Sequence, residues 1–217
     1  MGRGKEEMNH KEEDGGKSHG AKYLRRLETF LDVVYGLLFF QMLLYLPRAE
    51  DMKWVGQPLG LLQVLIDHSH ELLRIVVGLG LTLIYWNLNN RLFGPLGRTD
   101  ARHSVFSLLQ MVFVCFFIYF AISDPFLQGG PSSPALQSVS LSIAGFIAAL
   151  GWRYARTHNL VAERYRKEER DKMTRNSFIE PVTALLNTPV AWLGPIAWTI
   201  GWFTIPFLVT FLVRKRK

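Results

Sequence analysis

Few side chains in this sequence have the types and the spacing that catalysis or metal binding requires. The densest group is Asp67, His68, His70 and Glu71, whose imidazoles and carboxylates could bind a divalent metal or respond to pH. His68 and His70 are two positions apart, however, and side chains at that spacing do not share a helix face. We therefore favour an amphipathic segment with hydrated histidines. We expect the chain to hold no metal and no cofactor.

The remaining nucleophiles and acids form no catalytic pattern. The sequence has neither a glycine-rich phosphate loop nor a serine nucleophile elbow. Cys115 is its only cysteine, which excludes a disulfide framework and a thiol-based zinc site. Asp32 and Glu180 are the carboxylates that lie at the edges of long apolar runs. A membrane enzyme or a proton-coupled transporter needs paired groups, so we expect neither an enzyme nor a small-molecule substrate.

The distribution of charge indicates the class of protein. The chain has 217 residues and a net charge of +7, but only 20% of its residues are charged, below the roughly 25% of a typical soluble protein. Long apolar runs separate the charged blocks, and lipid admits such runs only as helices or closed barrels. The pattern predicts an all-α membrane protein with six transmembrane helices, near residues 28–47, 71–93, 104–123, 135–156, 177–190 and 194–213.

Basic residues predict the orientation of these helices. Twenty-two of the 25 Lys and Arg residues fall on one side of the predicted membrane, so the positive-inside rule places that side and both termini in the cytoplasm. Residues 1–20, which are polar and lack an apolar period, are predicted to form a disordered cytoplasmic tail. Residues 21–213 form the predicted transmembrane domain, and 214–217 a basic cytoplasmic tail.

The basic segment 164–172 also contains acidic residues. Such interleaving is typical of a solvated helix with i,i+4 ion pairs, and contact with anionic lipid headgroups is the alternative. We expect no nucleic-acid partner. The partner that the sequence predicts is the lipid bilayer.

The first predicted helix carries a pattern that resembles a known family. Arg26, Phe30 and Asp32 match the Arg-x-x-x-Phe-Ser-Asp signature of the transmembrane protein 175 potassium-channel family, with Leu31 in place of the serine. Further segments, at residues 85–93 with Asp100, 152–154 and 180–181, are similar to the family in order and spacing. The resemblance covers about residues 20–213.

The resemblance implies a fold and a function. Members of the family have six helices per subunit, and bacterial members are tetramers around a central pore that the first helix lines. By offset from Asp32, the family's pore positions correspond to Leu37, Gln41 and Leu44, while Arg26, Phe30 and Asp32 correspond to a network at the pore entrance. The implied protein is a homotetrameric, passive monovalent cation channel in a bacterial plasma membrane. Potassium is the expected permeant ion, and the constriction in the first helix is expected to be hydrophobic.

The residues alone leave the role of this helix face open. Leu37, Gln41 and Leu44 are four and three positions apart, so they share one face. That face could line a pore or pack against another helix. Leu31, Phe40 and Gln41 depart from the family pattern, so the order of ion selectivity does not follow from the resemblance. The alternative is a non-conducting membrane interaction or assembly protein that keeps the fold without a working pore.

Overall fold

Helices make up most of the ranges that the structure, a computed structural model, describes: residues 3–46, 60–123 and 130–215. This observation confirms the predicted all-α class. The elements are α1 (Arg3–Leu43), α2 (Gly60–Asp67), α3 (Ser69–Phe93), α4 (Ala101–Ser123), α5 (Ser132–Thr157), α6 (Lys167–Asn176), α7 (Ile179–Asn187) and α8 (Pro195–Lys215), with a 3₁₀ helix at Pro189–Leu193 before α8.

Each predicted transmembrane segment coincides with a helix, but the lengths differ. Within the described residues, three helices are long and apolar enough to cross a membrane: α4, α5 and the Pro195–Leu212 part of α8. Helix α7 is much shorter than the predicted segment 177–190. Its nine residues extend about 14 Å at 1.5 Å per residue, roughly half of a hydrocarbon core. Pro189 follows it, and proline cannot continue the α-helical hydrogen bonding.

The largest difference from the sequence prediction lies at the N-terminal end. Helix α1 begins at Arg3 and has 41 residues, so residues 3–20, predicted to be disordered, are helical. Glu residues stand four positions before Lys11 and Lys17, and this arrangement stabilises a helix without an apolar face. The loop before α4 also contacts α1, because the Thr99 backbone N–H donates a hydrogen bond to the Gly20 carbonyl oxygen at 3.2 Å.

Helix α5 lies at the centre of the bundle, in contact with α4, α7 and the 3₁₀ helix. Small side chains allow this close approach. Ser138 and Ala144 are fully buried, and a Cβ atom built at Gly145 would lie 2.8 Å from the Pro181 Cβ atom of α7. In lipid, where apolar burial does not drive association, packing of small residues and interhelical hydrogen bonds hold helices together.

Two buried hydrogen bonds join α5 to the C-terminal helices. Trp198 Nε1 of α8 donates to Ser138 Oγ at 2.8 Å. Ser142 Oγ donates to the Pro181 carbonyl oxygen of α7 at 3.0 Å. Both bonds require a defined rotation of the helices, because a buried donor left without an acceptor costs about 1–3 kcal/mol.

We expect Trp198→Phe to lower the free energy of unfolding by about 1 kcal/mol, because it removes the buried hydrogen bond to Ser138. Equilibrium unfolding in mixed detergent and SDS micelles measures this loss. Trp192→Phe is the matched control, since Trp192 is 63% exposed and its replacement should change stability by less than about 0.5 kcal/mol. Equal losses in the two variants would contradict the role given to this bond.

Candidate pore helix and its anchors

Helix α1 packs against the bundle through one face. The residues of that face recur every three or four positions, as one side of a helix requires, and are Leu24, Leu27, Leu31, Tyr35, Leu38 and Met42. Helix α3 is the main neighbour, and the Met42 side chain fills the space beside Gly78. Leu31, which replaces the serine of the family signature, is 1% exposed and is therefore a packing residue.

The opposite face of α1 is uncovered in the single chain. Leu37 and Leu44 are 61% and 52% exposed, and Gln41 and Phe30 are also exposed. Val34 is half-buried at the edge of this face. The structure thus brings Leu37, Gln41 and Leu44 together on one face that is free to contact water, lipid or another subunit.

Gln41 distinguishes this face from a lipid-contacting one. The exposed side chains of α8 are mainly aliphatic and aromatic, and its exposed Thr204 donates its hydroxyl proton to the Ile200 carbonyl oxygen at 3.1 Å. In contrast, the Gln41 amide makes no hydrogen bond to any residue that the structure describes. A polar group without a partner is costly in hydrocarbon. Water or a neighbouring subunit is therefore a better environment for this face than lipid.

The Asp32 carboxylate is held by an aromatic side chain. Trp86 Nε1 of α3 donates a hydrogen bond to Asp32 Oδ1 at 2.9 Å. No ion pair joins Arg26 to Asp32 in the described ranges. The two residues are six positions apart, on different sides of α1, and Arg26 and Phe30 are exposed. The predicted entrance network of Arg26, Phe30 and Asp32 is therefore not assembled within one chain, and Asp32 joins α1 to α3 instead.

Sequence reasoning missed the role of Trp86. An indole N–H near a membrane interface needs an acceptor, and a carboxylate in an apolar helix needs a donor. Both requirements can be read from the sequence. Their pairing cannot, because it depends on how α1 and α3 are rotated against each other.

The other segments that carried the resemblance meet at the end of the bundle where the basic loops lie. Asp100 precedes α4, and its carboxylate accepts hydrogen bonds from the His103 backbone N–H at 2.8 Å and from the Tyr154 hydroxyl at 2.9 Å. Trp152 Nε1 donates to Thr174 Oγ1 at 2.9 Å. These contacts cap α4 and connect α4, α5 and α6.

The structure describes only two of the four side chains of the alternative metal group, Asp67 and His68. Asp67 Oδ1 accepts a hydrogen bond from Gln63 Nε2 at 2.9 Å, and His68 lies at the break between α2 and α3. The side chains of His70 and Glu71 lie outside the described part of the chain. Among the side chains that are described, no three His, Cys, Asp or Glu residues are grouped to hold a metal ion.

The apolar helices and the fold together define a membrane protein. The fold is similar to that of a solved structure, described as the crystal structure of a lysosomal potassium-selective channel TMEM175 homolog from Chamaesiphon minutus. The TM-score is 0.65 at 17% sequence identity, over 90% of this chain and 98% of that chain. No family model and no curated protein matches the sequence. The structural similarity confirms, at the level of the fold, the resemblance found in the residues.

We expect Asp32→Asn to retain nearly all of the thermal stability of the protein, because an asparagine Oδ1 can still accept the Trp86 hydrogen bond. Asp32→Ala removes the acceptor and should lower the free energy of unfolding by about 0.5–1.5 kcal/mol. Thermal unfolding of the two variants in one detergent measures the difference. Identical midpoints would show that the hydrogen bond contributes nothing to stability.

Proposed function

We propose that this chain is a subunit of a passive monovalent cation channel that conducts potassium and assembles as a homotetramer, with α1 around a central pore. The observation that carries the proposal is the uncovered face of α1, where Gln41 lies between two exposed leucines. The similarity in fold to a potassium-selective channel homolog supports a cation channel in general. An ion channel performs no covalent chemistry, which agrees with the absence of a catalytic pattern in the sequence.

In this proposal Leu37 and Leu44 form a hydrophobic constriction. A narrow apolar ring can gate by dewetting, and an ion must lose part of its hydration shell to pass it. Potassium loses water more readily than sodium, so the constriction favours potassium without a filter of backbone carbonyls. Four Gln41 amides between the two rings would coordinate the partly dehydrated ion, hold water, or hydrogen-bond between subunits for about 1 kcal/mol or less each.

The Asp32–Trp86 hydrogen bond supports this arrangement. It fixes the rotation of α1 against α3, and the buried face from Leu24 to Met42 reinforces that rotation. The uncovered face is thereby turned away from its own bundle. Four chains related by rotation would bring these faces together around one axis.

We further propose six membrane crossings, in a bacterial plasma membrane, with both termini in the cytoplasm. Helix α1, helices α3 to α5, the pair formed by α7 and the 3₁₀ helix, and α8 provide the crossings. The nine residues of α7 and the five of the 3₁₀ helix together extend about 24 Å, so the fifth crossing is the shortest of the six, below the ~30 Å of a typical hydrocarbon core. The excess of basic residues on one side supports the orientation.

We expect Leu37→Ala with Leu44→Ala to raise cation flux about tenfold, as removal of about 1.4 kcal/mol from the barrier would produce, and to lower the preference for potassium over sodium. Flux from purified protein in liposomes, with potassium and sodium gradients on one preparation, measures both. Leu208→Ala with Leu212→Ala is the matched control, since these α8 leucines are 63% and 64% exposed. The control should conduct like the wild type.

Unchanged conductance and ion preference in the α1 double variant would remove Leu37 and Leu44 from the pore. Equal potassium and sodium flux in the wild type would still show that the protein is a channel. We would then assign the missing selectivity to Gln41. No flux from folded, tetrameric protein would contradict the channel and support the alternative, a non-conducting assembly protein with the same fold.

We expect a fluorescent protein fused after Lys217 to be fluorescent in bacterial cells and alkaline phosphatase at the same position to be inactive, because the terminus stays in the cytoplasm. The same two proteins fused before Met1 should give the same results as at the C-terminus. Phosphatase inserted between Asp124 and Gly129 should be active. An active phosphatase at the C-terminus with an inactive one at the N-terminus would overturn the even number of crossings, and active phosphatase at both ends would overturn the orientation.

A further inference from the structure

A cavity of about 380 Å³ lies within the single chain and opens to its surface, away from the uncovered face of α1. Residues of α3, α4, α5, α6 and α7 line it, at the end of the bundle where the basic loops lie. Its walls are largely apolar, and Leu88, Leu92, Ala148 and Met173 contribute to them. A concave, mostly apolar volume of this size, with a few polar groups, is typical of small-molecule sites.

Glu180, in the first turn of α7, brings a carboxylate to this cavity without a positive partner. Its Oε1 atom is buried and makes no hydrogen bond within the described ranges. The hydroxyl of Tyr85, which also lines the cavity, donates its single proton to the Leu141 carbonyl oxygen at 2.7 Å and also lies within hydrogen-bond reach of the Glu180 side chain. Arg91 lies at the cavity too, but it is exposed, and no ion pair joins it to Glu180.

Two further residues adapt the cavity to a polar ligand. Gly145 of α5 makes room for the carboxylate, because a Cβ atom there would lie 2.7 Å from Glu180 Oε2. Gln110 of α4 lines the same cavity and is only 4% exposed. Its amide makes no hydrogen bond within the described residues and is therefore available to a ligand in the cavity. Buried polar groups normally find partners, so the unpartnered Oε1 atom of Glu180 at this cavity indicates a ligand that pairs with it.

We propose that this cavity binds a small organic cation, an ammonium group carried on an apolar body. The ammonium donates hydrogen bonds to the Glu180 carboxylate and the Gln110 carbonyl oxygen, and the body packs against Leu88, Leu92 and Met173. A buried carboxylate is stable when a cation neutralises it, and the apolar walls exclude the water that an inorganic ion would retain. The site is independent of ion conduction, so its test does not depend on the proposed channel.

The test compares two probes that differ in charge and match in shape, 4-phenylbutylamine and 4-phenylbutanol. Isothermal titration of the full-length protein in lipid nanodiscs gives the ratio of their dissociation constants, after subtraction of partitioning into empty nanodiscs. We expect the wild type to bind the amine at least about tenfold more tightly than the alcohol, the factor that one charge-assisted contact provides. Equal binding of the two probes would overturn the proposal, because a protonated Glu180 in an empty cavity would then account for the structure.

Three variants locate the binding. Glu180→Gln keeps the shape of the side chain and removes its charge, so the preference for the amine should disappear. Glu163→Gln is the matched control, because Glu163 is exposed in the loop before α6, and the preference should persist. Gln41→Leu should also keep it, since Gln41 lies on the other side of α1 from the bundle. A preference retained in Glu180→Gln, or lost in Gln41→Leu, would overturn the assignment of the site.

A fourth variant tests the cavity without changing the carboxylate. Ala148→Phe fills the space between the apolar walls and should abolish binding of both probes, while the protein elutes as the same oligomer as the wild type. Wild-type affinity for the amine in this variant would contradict binding in the cavity. The comparison of the two probes on wild-type protein remains decisive if any variant fails to fold.

Discussion

Helix α5 must approach α7 closely, and the small residues along it make this possible. Ser138, Ser142 and Gly145 are four and three positions apart, so they lie on one face of the helix. Trp198 bonds to the first of them and the Pro181 carbonyl oxygen to the second, and Glu180 occupies the space that the third leaves open. A larger side chain at Gly145 would displace Glu180 and Pro181 of α7. The cavity at Glu180 therefore exists because α5 is narrow.

Helix α1 is attached to this core from outside, through α3 and α4. Its buried face packs against the helices of its own chain, and Leu37, Gln41 and Leu44 stay uncovered. A single chain in lipid would expose an unpaired amide at that surface. In the proposed assembly around an axis, water or another amide would become its partner.

Apolar run lengths and charge blocks predicted the all-α class and the approximate positions of the helices, because the bilayer imposes those lengths on any sequence. The face shared by Leu37, Gln41 and Leu44 also follows from spacing alone. The Asp32–Trp86 pair and the Glu180–Gln110 cavity could not be predicted, since each depends on the relative rotation of helices distant in sequence. Residues 3–20 are part of α1 in the structure, whereas their composition alone predicted a disordered tail, because composition describes the lack of an apolar face and overlooks the helical spacing of charges. The function of the uncovered face stays a prediction.

The length of α1 has a mechanical consequence. The helix is a rod about 61 Å long at 1.5 Å per residue, and the Thr99 backbone N–H contacts it at Gly20. Arg3 and Leu37 are each seventeen positions from that contact. The seventeen residues before Gly20 and the packed face from Leu24 to Met42 belong to one continuous helix. A force applied to the first part would therefore be transmitted along the helix toward Leu37, opposed by the packing of α1 on α3 and α4.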